Sequence, residues 1–515
     1  SKTTLMLSAR RSYLQYVFEL IGLPIRPDYW DYQFKIHHKI DDYNSITFLG
    51  LGSIDDFSVE PPDQFDPEAQ ATIEQVPIIK QKTLTLGVSW SRKYKSGKGL
   101  VTTSLSSNKL INDFSRFSNN ILQSGIIYKN DSKEQESKLR VHFKEFKEKF
   151  KLSYGFNLQH SSYFNNTQII QNQVNYYTSI DFFKYGFFGN FSRYFFDDKL
   201  SFSLGVRTDG DTFTYGSGLL NNISPRVSVS YKISEDQKWR LNSSVGSYFK
   251  IPTYTTLGYK NSDDNFINKK NKYIQSDHFV LGLEYNWNSS SRITIEAFLK
   301  NYNRYPVSII DQVSLANKGG GFEVLGNEPI SDTGTGSSHG VEFLFQQKLN
   351  KNFYGIFALT HFYSRFSNVD GPNIPTVWDS RNLISFTGGY KLDRNWEISL
   401  RYRYAGRTPY PLVDIEKSLE AYPIIIYDYI NMGSQKIDVF SQADLRIDKK
   451  WNFKNLSFNF FIDIQNVLAQ INPQPKEFGL QRNIDGSLVF PENLIPIQSE
   501  RSRSPIPSFG LVFDF

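Results

Sequence analysis

The sequence predicts an all-β fold, a transmembrane antiparallel up-and-down β-barrel with about 20 strands in this chain. Three observations predict it. Apolar and polar residues alternate with period two in segment after segment, which places them on opposite faces of strands. Short and long connections also alternate along the chain, as in a meander. Finally, aromatic residues make up 16% of a chain whose mean hydropathy is −0.43, a combination that suits a protein with two surfaces in different solvents.

The alternation is clearest in three segments. Residues 396–404 place Trp396, Ile398, Leu400, Tyr402 and Tyr404 on one face and polar residues on the other. Residues 292–300 and 456–465 show the same pattern. The segment 138–150 is the least certain strand, because its charges also suit a short helix.

The connections follow a regular rhythm. Short ones are expected at 41–44, 95–99, 197–199, 234–237, 288–291, 350–352, 393–395 and 452–455, and long ones at 56–78, 111–135, 254–276, 311–337 and 408–440. No linker or composition shift interrupts the series, so residues 1–515 are predicted to form one domain. An open sheet of this size would expose a very large apolar patch in water. Closure into a barrel bathed in lipid removes both the sheet edges and the need for a second layer.

Composition excludes several functional classes. The chain of 59.6 kDa has no cysteine, so neither disulfides nor thiolate chemistry are available. Its net charge of +6 is spread along the chain without a basic arm, so no nucleic-acid partner is expected. No apolar run reaches 18 residues, which excludes a spanning helix. We find no catalytic motif, so no enzyme is predicted, and no metal or other cofactor is expected.

The C-terminus ends on an alternating strand. Phe509, Leu511, Phe513 and Phe515 share one face, and Phe515 is the last residue. A terminal phenylalanine on such a strand resembles the signal that the outer-membrane barrel assembly machinery reads. We therefore predict that these four residues form an assembly signal.

Several stretches resemble the TonB-dependent outer-membrane receptors, especially those of the Bacteroidetes type. The stretches are SARRSYL (8–14), residues 31–57, ISPRVSVSYKI (223–233), HGVEFLFQQKL (339–349), AGRTPYPLVD (405–414), QADLRIDKKWNF (442–453) and FFIDIQNVLAQINPQP (460–475). The resemblance implies a multi-pass β-barrel in the bacterial outer membrane. It also implies energy-coupled uptake of a scarce nutrient such as an iron chelate, in a 22-stranded barrel that surrounds a plug domain.

The front of the chain departs from the family pattern. SKTTLMLSARRSYL resembles the family's third barrel strand, and nothing resembles the plug or the segment that binds TonB. We therefore expect that the plug and the first two strands lie outside this chain, and that the TonB complex is contacted through that absent N-terminal segment.

The polar faces of the strands carry charges of both signs. The expected lumen set is Lys35, His37, Lys39, Arg207, Arg226, Arg240, Glu284, Glu296, Glu342, Arg401, Arg403 and Asp463. Two interpretations stay open: a wet wall of paired charges, or a funnel for a charged ligand. Arg207, Arg226, Arg401 and Arg403 are the candidate ligand contacts of this set. The adjacent His37 and His38 point to opposite faces, so they do not form a metal site together.

Three outer loops are further candidates for function. The loop 54–75 holds seven carboxylates and is either a solvated loop or a cation site. The loop 421–430 is apolar and aromatic, with Tyr422 and Tyr427, and either contacts a ligand or partner or folds back into the vestibule. The loop that begins at 251 contributes Tyr254 and Tyr259 as candidate ligand contacts.

Two functions remain as hypotheses. The first is the transporter that the resemblance implies. The second is a receptor-like barrel that serves as a structural or assembly platform, with a surface lipoprotein as a possible partner. In both, outer-membrane lipid surrounds the barrel.

Overall fold

The computed structural model describes residues 2–20, 22–62, 64–170, 174–215, 217–318, 324–368, 371–497 and 505–514. One antiparallel sheet of 21 strands dominates the fold, with twenty long strands and one strand of three residues. The long strands, numbered β1 to β20, are Thr3–Arg11, Ile25–Lys39, Asn44–Val59, Ile78–Lys93, Gly99–Asn119, Ser124–Phe146, Phe150–Ile169, Val174–Phe195, Leu200–Asp211, Ile223–Lys232, Trp239–Lys250, Ile274–Asn288, Ser291–Ser308, Ile330–Asn350, Phe353–Ser367, Asn382–Leu392, Trp396–Ala405, Phe440–Asn452, Ser457–Gln465 and Ile506–Asp514.

Each long strand pairs antiparallel with the next one along the chain, which confirms the predicted up-and-down meander. The short strand Asn373–Pro375 adds to the end of β15. Within the described residues, β1 pairs only with β2, and β20 pairs only with β19. Both strands are exposed along most of their length. The sheet therefore has two free edges in the part of the chain that the structure describes.

The two ends of the sheet differ. At one end, which we call the short-turn end, successive strands are joined by turns of a few residues, at 40–43, 94–98, 147–149, 196–199, 233–238, 289–290, 351–352, 393–395 and 453–456. The opposite, long-loop end carries the α-helices and most of the irregular chain. The helices are α1 (Leu14–Leu20), α2 (Pro67–Gln75), α3 (Tyr254–Gly258) and α4 (Ile415–Glu420), with 3-10 turns at Leu219–Asn222 and Ile267–Lys270. A third 3-10 turn, Asp393–Asn395, lies at the short-turn end.

Six more short strands pair within the loops of the long-loop end. They are Thr408–Tyr410 with Gln435–Ile437, Leu412–Val413 with Tyr427–Asp428, and Phe478–Leu480 with Leu494–Pro496. None of the described helices is long and apolar enough to cross a membrane.

Strand register separates an apolar from a polar face, as the alternation predicts. Leu400 lies opposite Leu445, and Ile462 lies opposite Phe509. Leu511 and Phe513 continue the apolar face of β20, while Phe515 lies outside the described residues. Leu400 remains 39% exposed and Phe509 79% exposed, so none of the residues that the structure describes forms a second layer over that face at these positions.

The polar face carries ion pairs between neighbouring strands or along one strand. Arg401 lies opposite Asp444, with the guanidinium 3.1 Å from the carboxylate. Arg240 lies 3.4 Å from Glu284 in the same way. His37 bonds Thr47 on this face, whereas His38 bonds Thr3 on the other. These contacts match the interpretation of a wall of paired charges.

Strands β5 to β8 correct one prediction. The long connection expected at 111–135 is wrong, because β5 continues to Asn119 and β6 begins at Ser124. Each of these four strands has at least twenty residues, about twice what a barrel strand needs to cross a bilayer. The segment 138–150 is strand up to Phe146 and contains no helix. The alternation of hydrophobicity is lost in the distal halves because both faces carry polar residues there.

Buried apolar side chains collect at the long-loop end. One cluster, formed by Tyr163, Ile180, Phe182, Tyr254 and Leu257, lies between α3 and strands β7 and β8. A second cluster, formed by Val59, Ile73 and Ile78, holds α2 against the ends of β3 and β4. The hydrophobic core of this protein is therefore built from loops that fold onto the extended strands.

Candidate ligand vestibule

A cavity of about 560 Å³ lies among the loops of the long-loop end. We call it the vestibule cavity. Its lining residues are Ile25, Phe57, Ala71, Thr72, Gln75, Val76, Arg116, Asp311, Lys318, Pro423, Ile424, Ile425, Ile426, Tyr427, Tyr429 and Glu477. They come from loops, from α2 and from the ends of β2, β3 and β5, which are distant in the sequence, and most are apolar. A concave, mainly apolar site of this size with a few polar groups is typical of small-molecule binding sites.

Helix α2 forms one wall of the vestibule cavity. Asp66 caps its N-terminus by accepting hydrogen bonds from the backbone N–H groups of Glu68 and Ala69, and Pro67 occupies the first turn. At the other end, the Asn120 amide donates to the carbonyl oxygens of Ile73 and Val76 at 2.6 and 2.8 Å. Both ends of the helix are thus satisfied, which holds it in position.

The apolar loop 421–430 forms the facing wall and is attached to α2. The Tyr422 hydroxyl donates to Glu74, and the Arg482 guanidinium lies 2.6 Å from the same carboxylate. Burial, followed by the charge of Glu74, raises the pKa of Tyr422, so its hydroxyl stays protonated as a donor. Pro423 to Ile426 then face the cavity. This arrangement corresponds to the folded-back alternative for the loop.

Lys318 lies at the charged edge of the cavity. Its ammonium is 2.5 Å from Asp311 and 2.6 Å from Glu328. Burial alone lowers the pKa of Lys318, but the carboxylates of Glu328 and Asp311 outweigh it and raise the pKa above the ordinary value. The positive charge is therefore retained and fully compensated, and Tyr429 lies 5.8 Å from it.

Two other segments, 251–273 and 324–329, lie against the polar face of β6 to β8, and we call them the docked loops. The Asn268 amide, 1% exposed, donates to the carbonyls of Thr256 and Glu328 at 2.8 Å each and accepts from the N–H of Ile330 at 2.9 Å. The Thr178 hydroxyl of β8 donates to the Gly258 carbonyl at 2.5 Å. These satisfied buried polar groups hold the docked loops on the polar face of the strands.

Tyr254 and Tyr259 belong to the docked loops and not to the vestibule cavity. The Tyr254 hydroxyl bonds Glu136 and Lys184 and lies 3.1 Å from Ser161. Burial raises the pKa of Tyr254, so it too remains protonated. Tyr259 is half-buried, with its ring 5.9 Å from the ring of Tyr176.

The four candidate arginines lie on the polar face of the sheet. Arg207 pairs with Asp209 at 2.6 Å, and the Arg226 guanidinium stacks 4.3 Å from Tyr248. Arg401 and Arg403 share Asp444, at 3.1 and 3.6 Å. The structure therefore does not gather the predicted ligand contacts into one site, and Tyr427 alone among them lines the cavity.

Most of the acidic residues of the loop 54–75 have partners in this chain. Glu60 pairs with Arg26 at 3.1 Å, Asp56 lies 3.9 Å from Lys80, and Asp66 caps α2. Asp63 lies outside the described residues. Across the described ranges, no three side chains of a metal-donor type stand together.

Sequence reasoning missed α2, Arg116, Asp311, Lys318 and Glu477 as cavity residues. The helix had a readable signal, since Asp66 followed by Pro67 is a helix start. The other four gave none, because an isolated charge, on a strand as at Arg116 or in a loop, does not reveal which distant segment it meets.

Comparisons with known proteins agree with this architecture. The family model described as "TonB dependent receptor-like, beta-barrel" matches residues 27–467. Among solved structures, the "Copper transporter OprC" aligns with TM-score 0.66 and 12% identity over 99% of this chain and 75% of its own. The ferripyoverdine receptor of the outer membrane of Pseudomonas aeruginosa aligns with TM-score 0.65 and 12% identity, over 99% of this chain and 67% of its own. The ferric-catecholate import receptor Fiu from K12 E. coli aligns with TM-score 0.66 and 10% identity, over 100% of this chain and 78% of its own.

At these identities the structural likeness concerns the fold. No curated protein matches the chain. The family match spans most of the sequence, and the meander, the apolar outer face and the long-loop end agree with it. The chain therefore belongs to the TonB-dependent receptor-like β-barrel family, and it is a protein of the outer membrane.

Proposed function

We propose that this chain forms the barrel of an energy-coupled importer that takes up a scarce nutrient, such as an iron chelate, through the outer membrane. The observation that carries the proposal is the vestibule cavity, where loops distant in sequence converge at the long-loop end. The short-turn end has no comparable loops, so we assign it to the periplasm and the long-loop end to the cell exterior. In this proposal the nutrient binds in the vestibule cavity at the cell exterior and then passes through the polar lumen towards the periplasm.

The proposal includes a closed barrel of 22 strands of the Bacteroidetes type, with a plug domain that contacts the TonB complex. The two free edges, at β1 and β20, support it, since exposed edges of this length are costly in membranes and water alike. Two further strands between them, which we place outside residues 1–515, complete the wall. Residues 1–515 then act as one barrel domain.

The two remaining proposed partners, membrane lipid and the barrel assembly machinery, contact the apolar face of the sheet. It is exposed and continuous from β16 to β20, which suits contact with lipid. Phe509, Leu511 and Phe513 lie on this face of β20 and, with Phe515, are proposed to present the assembly signal to the barrel assembly machinery.

Ligand binding to the purified full-length protein tests the importer. Ferric tris-catecholate, ferric tris-hydroxamate and cyanocobalamin are titrated separately while intrinsic tryptophan fluorescence is recorded. The importer predicts saturable quenching by at least one of them, weakened by Ile425→Asp in the cavity. Ile484→Asp is the matched control, because Ile484 is 99% exposed and outside the cavity lining.

Failure of all three ligands, together with stoichiometric co-purification of a surface lipoprotein from native membranes, contradicts the importer and favours the platform. Quenching that Ile425→Asp leaves unchanged contradicts the vestibule cavity as the capture site.

A further inference from the structure

Three lysines stand together on the apolar face of the sheet. Lys82 of β4 and Lys133 of β6 both lie directly opposite Ile111 of β5. Lys109 lies two residues from Ile111 on β5, towards the short-turn end, so its side chain points to the same face. We call this group the lysine triangle. Strand spacing and rise place its corners about 8–10 Å apart.

The lysine triangle lies at the outer boundary of the apolar band. On β4 the outward positions between Arg92 and Lys82 are Trp90, Val88, Leu86 and Leu84, all apolar. From Lys82 to Arg92 the strand advances by ten residues, each with a rise of about 3.4 Å. With the strand tilted by about 40° from the membrane normal, this distance spans a height of about 26 Å. The apolar band of outer-membrane barrels is about 25 Å tall. Arg92 therefore marks the inner interface, and the lysine triangle marks the outer one.

The three ammonium groups have no carboxylate within ion-pair distance among the residues that the structure describes. All three side chains are exposed. The lysines farther from the apolar band differ, since Lys80 lies 3.9 Å from Asp56 and Lys129 lies 3.2 Å from Asp131. Among the described lysines on this face of β4 to β6, those without a carboxylate partner are thus the three of the lysine triangle.

The neighbouring groups favour an amphiphilic anion. Ile54 lies opposite Lys82, and Leu84 lies opposite Lys109, so apolar side chains alternate with the ammoniums. The Lys133 ammonium stands 5.6 Å from the ring of Phe164. Asp113, two residues above Ile111, accepts a hydrogen bond from the Ser115 hydroxyl at 2.9 Å. Flexible lysine side chains at this spacing can converge on a single phosphate.

We propose that the lysine triangle binds the phosphate group of an outer-leaflet lipid, whose acyl chains lie against Leu84, Leu86 and Leu105 below it. Those three leucines are on the same face, towards the short-turn end, and remain exposed. The lipid phosphate lies at the same depth as the ammoniums, so attraction is gained without moving either group. This site is separate from the vestibule cavity. It rests on the proposed orientation, with the long-loop end outside, and not on the importer function.

Native mass spectrometry of the full-length protein tests the site, with dioleoyl phosphatidic acid as the probe. The triple variant Lys82→Gln/Lys109→Gln/Lys133→Gln is compared with Lys80→Gln/Lys129→Gln/Lys238→Gln, which removes the same charge from three lysines that have carboxylate partners. The site predicts about 100-fold weaker binding for the first variant and near wild-type binding for the second. Lys109→Gln alone is expected to weaken binding about fivefold, which keeps the test valid if the triple variant folds poorly.

Dioleoyl phosphatidylcholine and inorganic phosphate distinguish the alternatives. The proposal expects weak binding of the choline lipid and no displacement of phosphatidic acid by excess inorganic phosphate. Equal binding of the choline lipid, full displacement by inorganic phosphate, or equal losses in both triple variants would each overturn it.

Discussion

The docked loops and the loops around the vestibule cavity lie at the same end of the sheet but are built differently. In the docked loops, side-chain amides satisfy buried backbone groups, as Asn268 does with three of them. Around the vestibule cavity, the segment Pro423 to Ile426 faces open space of about 560 Å³. The first region resembles a folded core, and the second resembles a binding site.

This difference bears on which of the two regions can bind a ligand. Buried polar groups that are already paired, such as the Asn268 amide, have no hydrogen-bonding capacity left for a ligand. Apolar side chains that remain beside a cavity gain from a ligand that removes them from water. The tyrosines of the two regions therefore have different environments: Tyr254 is hydrogen-bonded to Glu136, whereas Tyr427 lines the cavity.

The largest expected effect comes from removing the anchor of the docked loops. Asn268→Ala leaves two carbonyls and one N–H buried without partners, which costs about 3 kcal/mol of local stability. Hydrogen–deuterium exchange should show amides at 254–258 and 330 exchanging roughly 100-fold faster. Asn265→Ala is the control, since Asn265 is exposed in the same loop. Unchanged exchange in Asn268→Ala would show that the loops are held by other contacts.

The sequence was sufficient for the sheet and insufficient for the loops. Strands such as Trp396–Ala405 were readable because one face meets an apolar environment and the other a polar one. That signal disappears in β5 beyond Lys109, where both faces carry polar residues and the paired strand β6 places Lys129, Asp131 and Lys133 on the otherwise apolar face. The strands continue there because their backbones are hydrogen-bonded to each other, and this pairing imposes no alternation of apolar and polar residues on the sequence.

The candidate site was even harder to predict from the sequence than the loops. The loop 421–430 was recognised from its apolar composition, and Tyr427 does line the cavity. Its partners come from α2 and from the chain around Lys318, which are far apart in sequence. Long-range loop contacts of this kind depend on the order of the strands in the sheet, and no local sequence pattern records them.

An intermediate effect is expected in the vestibule cavity. Ile425→Asp places a carboxylate on the apolar wall, and burying it beneath a ligand should weaken binding by at least about 30-fold. The thermal midpoint should stay near that of the wild type, because Ile425 is only half-buried without ligand. The measurement is the fluorescence titration with whichever nutrient quenches the wild type, and unchanged affinity would place the ligand elsewhere.

The smallest effect concerns the hydroxyl of Tyr254. Tyr254→Phe removes its bonds to Glu136 and Lys184 but keeps the ring between Phe182 and Tyr163. A loss of about 1.5 kcal/mol is expected, seen as roughly tenfold faster amide exchange in α3. Tyr259→Phe is the matched control, and nutrient affinity should be unchanged in both. A loss of nutrient affinity in Tyr254→Phe would instead indicate that the Tyr254 hydroxyl contacts the ligand.

The most direct test of the central claim is the accessibility of the two faces in a bilayer. The chain has no cysteine, so single cysteines at Leu400, Ile462, Ser399 and Asn459 can each carry a nitroxide label. With the protein in lipid vesicles, labels at 400 and 462 should collide with oxygen and be shielded from a water-soluble nickel chelate. Labels at 399 and 459 should show the reverse. Equal collision rates on both faces, or oxygen preference at 399 and 459, would contradict an apolar face in contact with lipid.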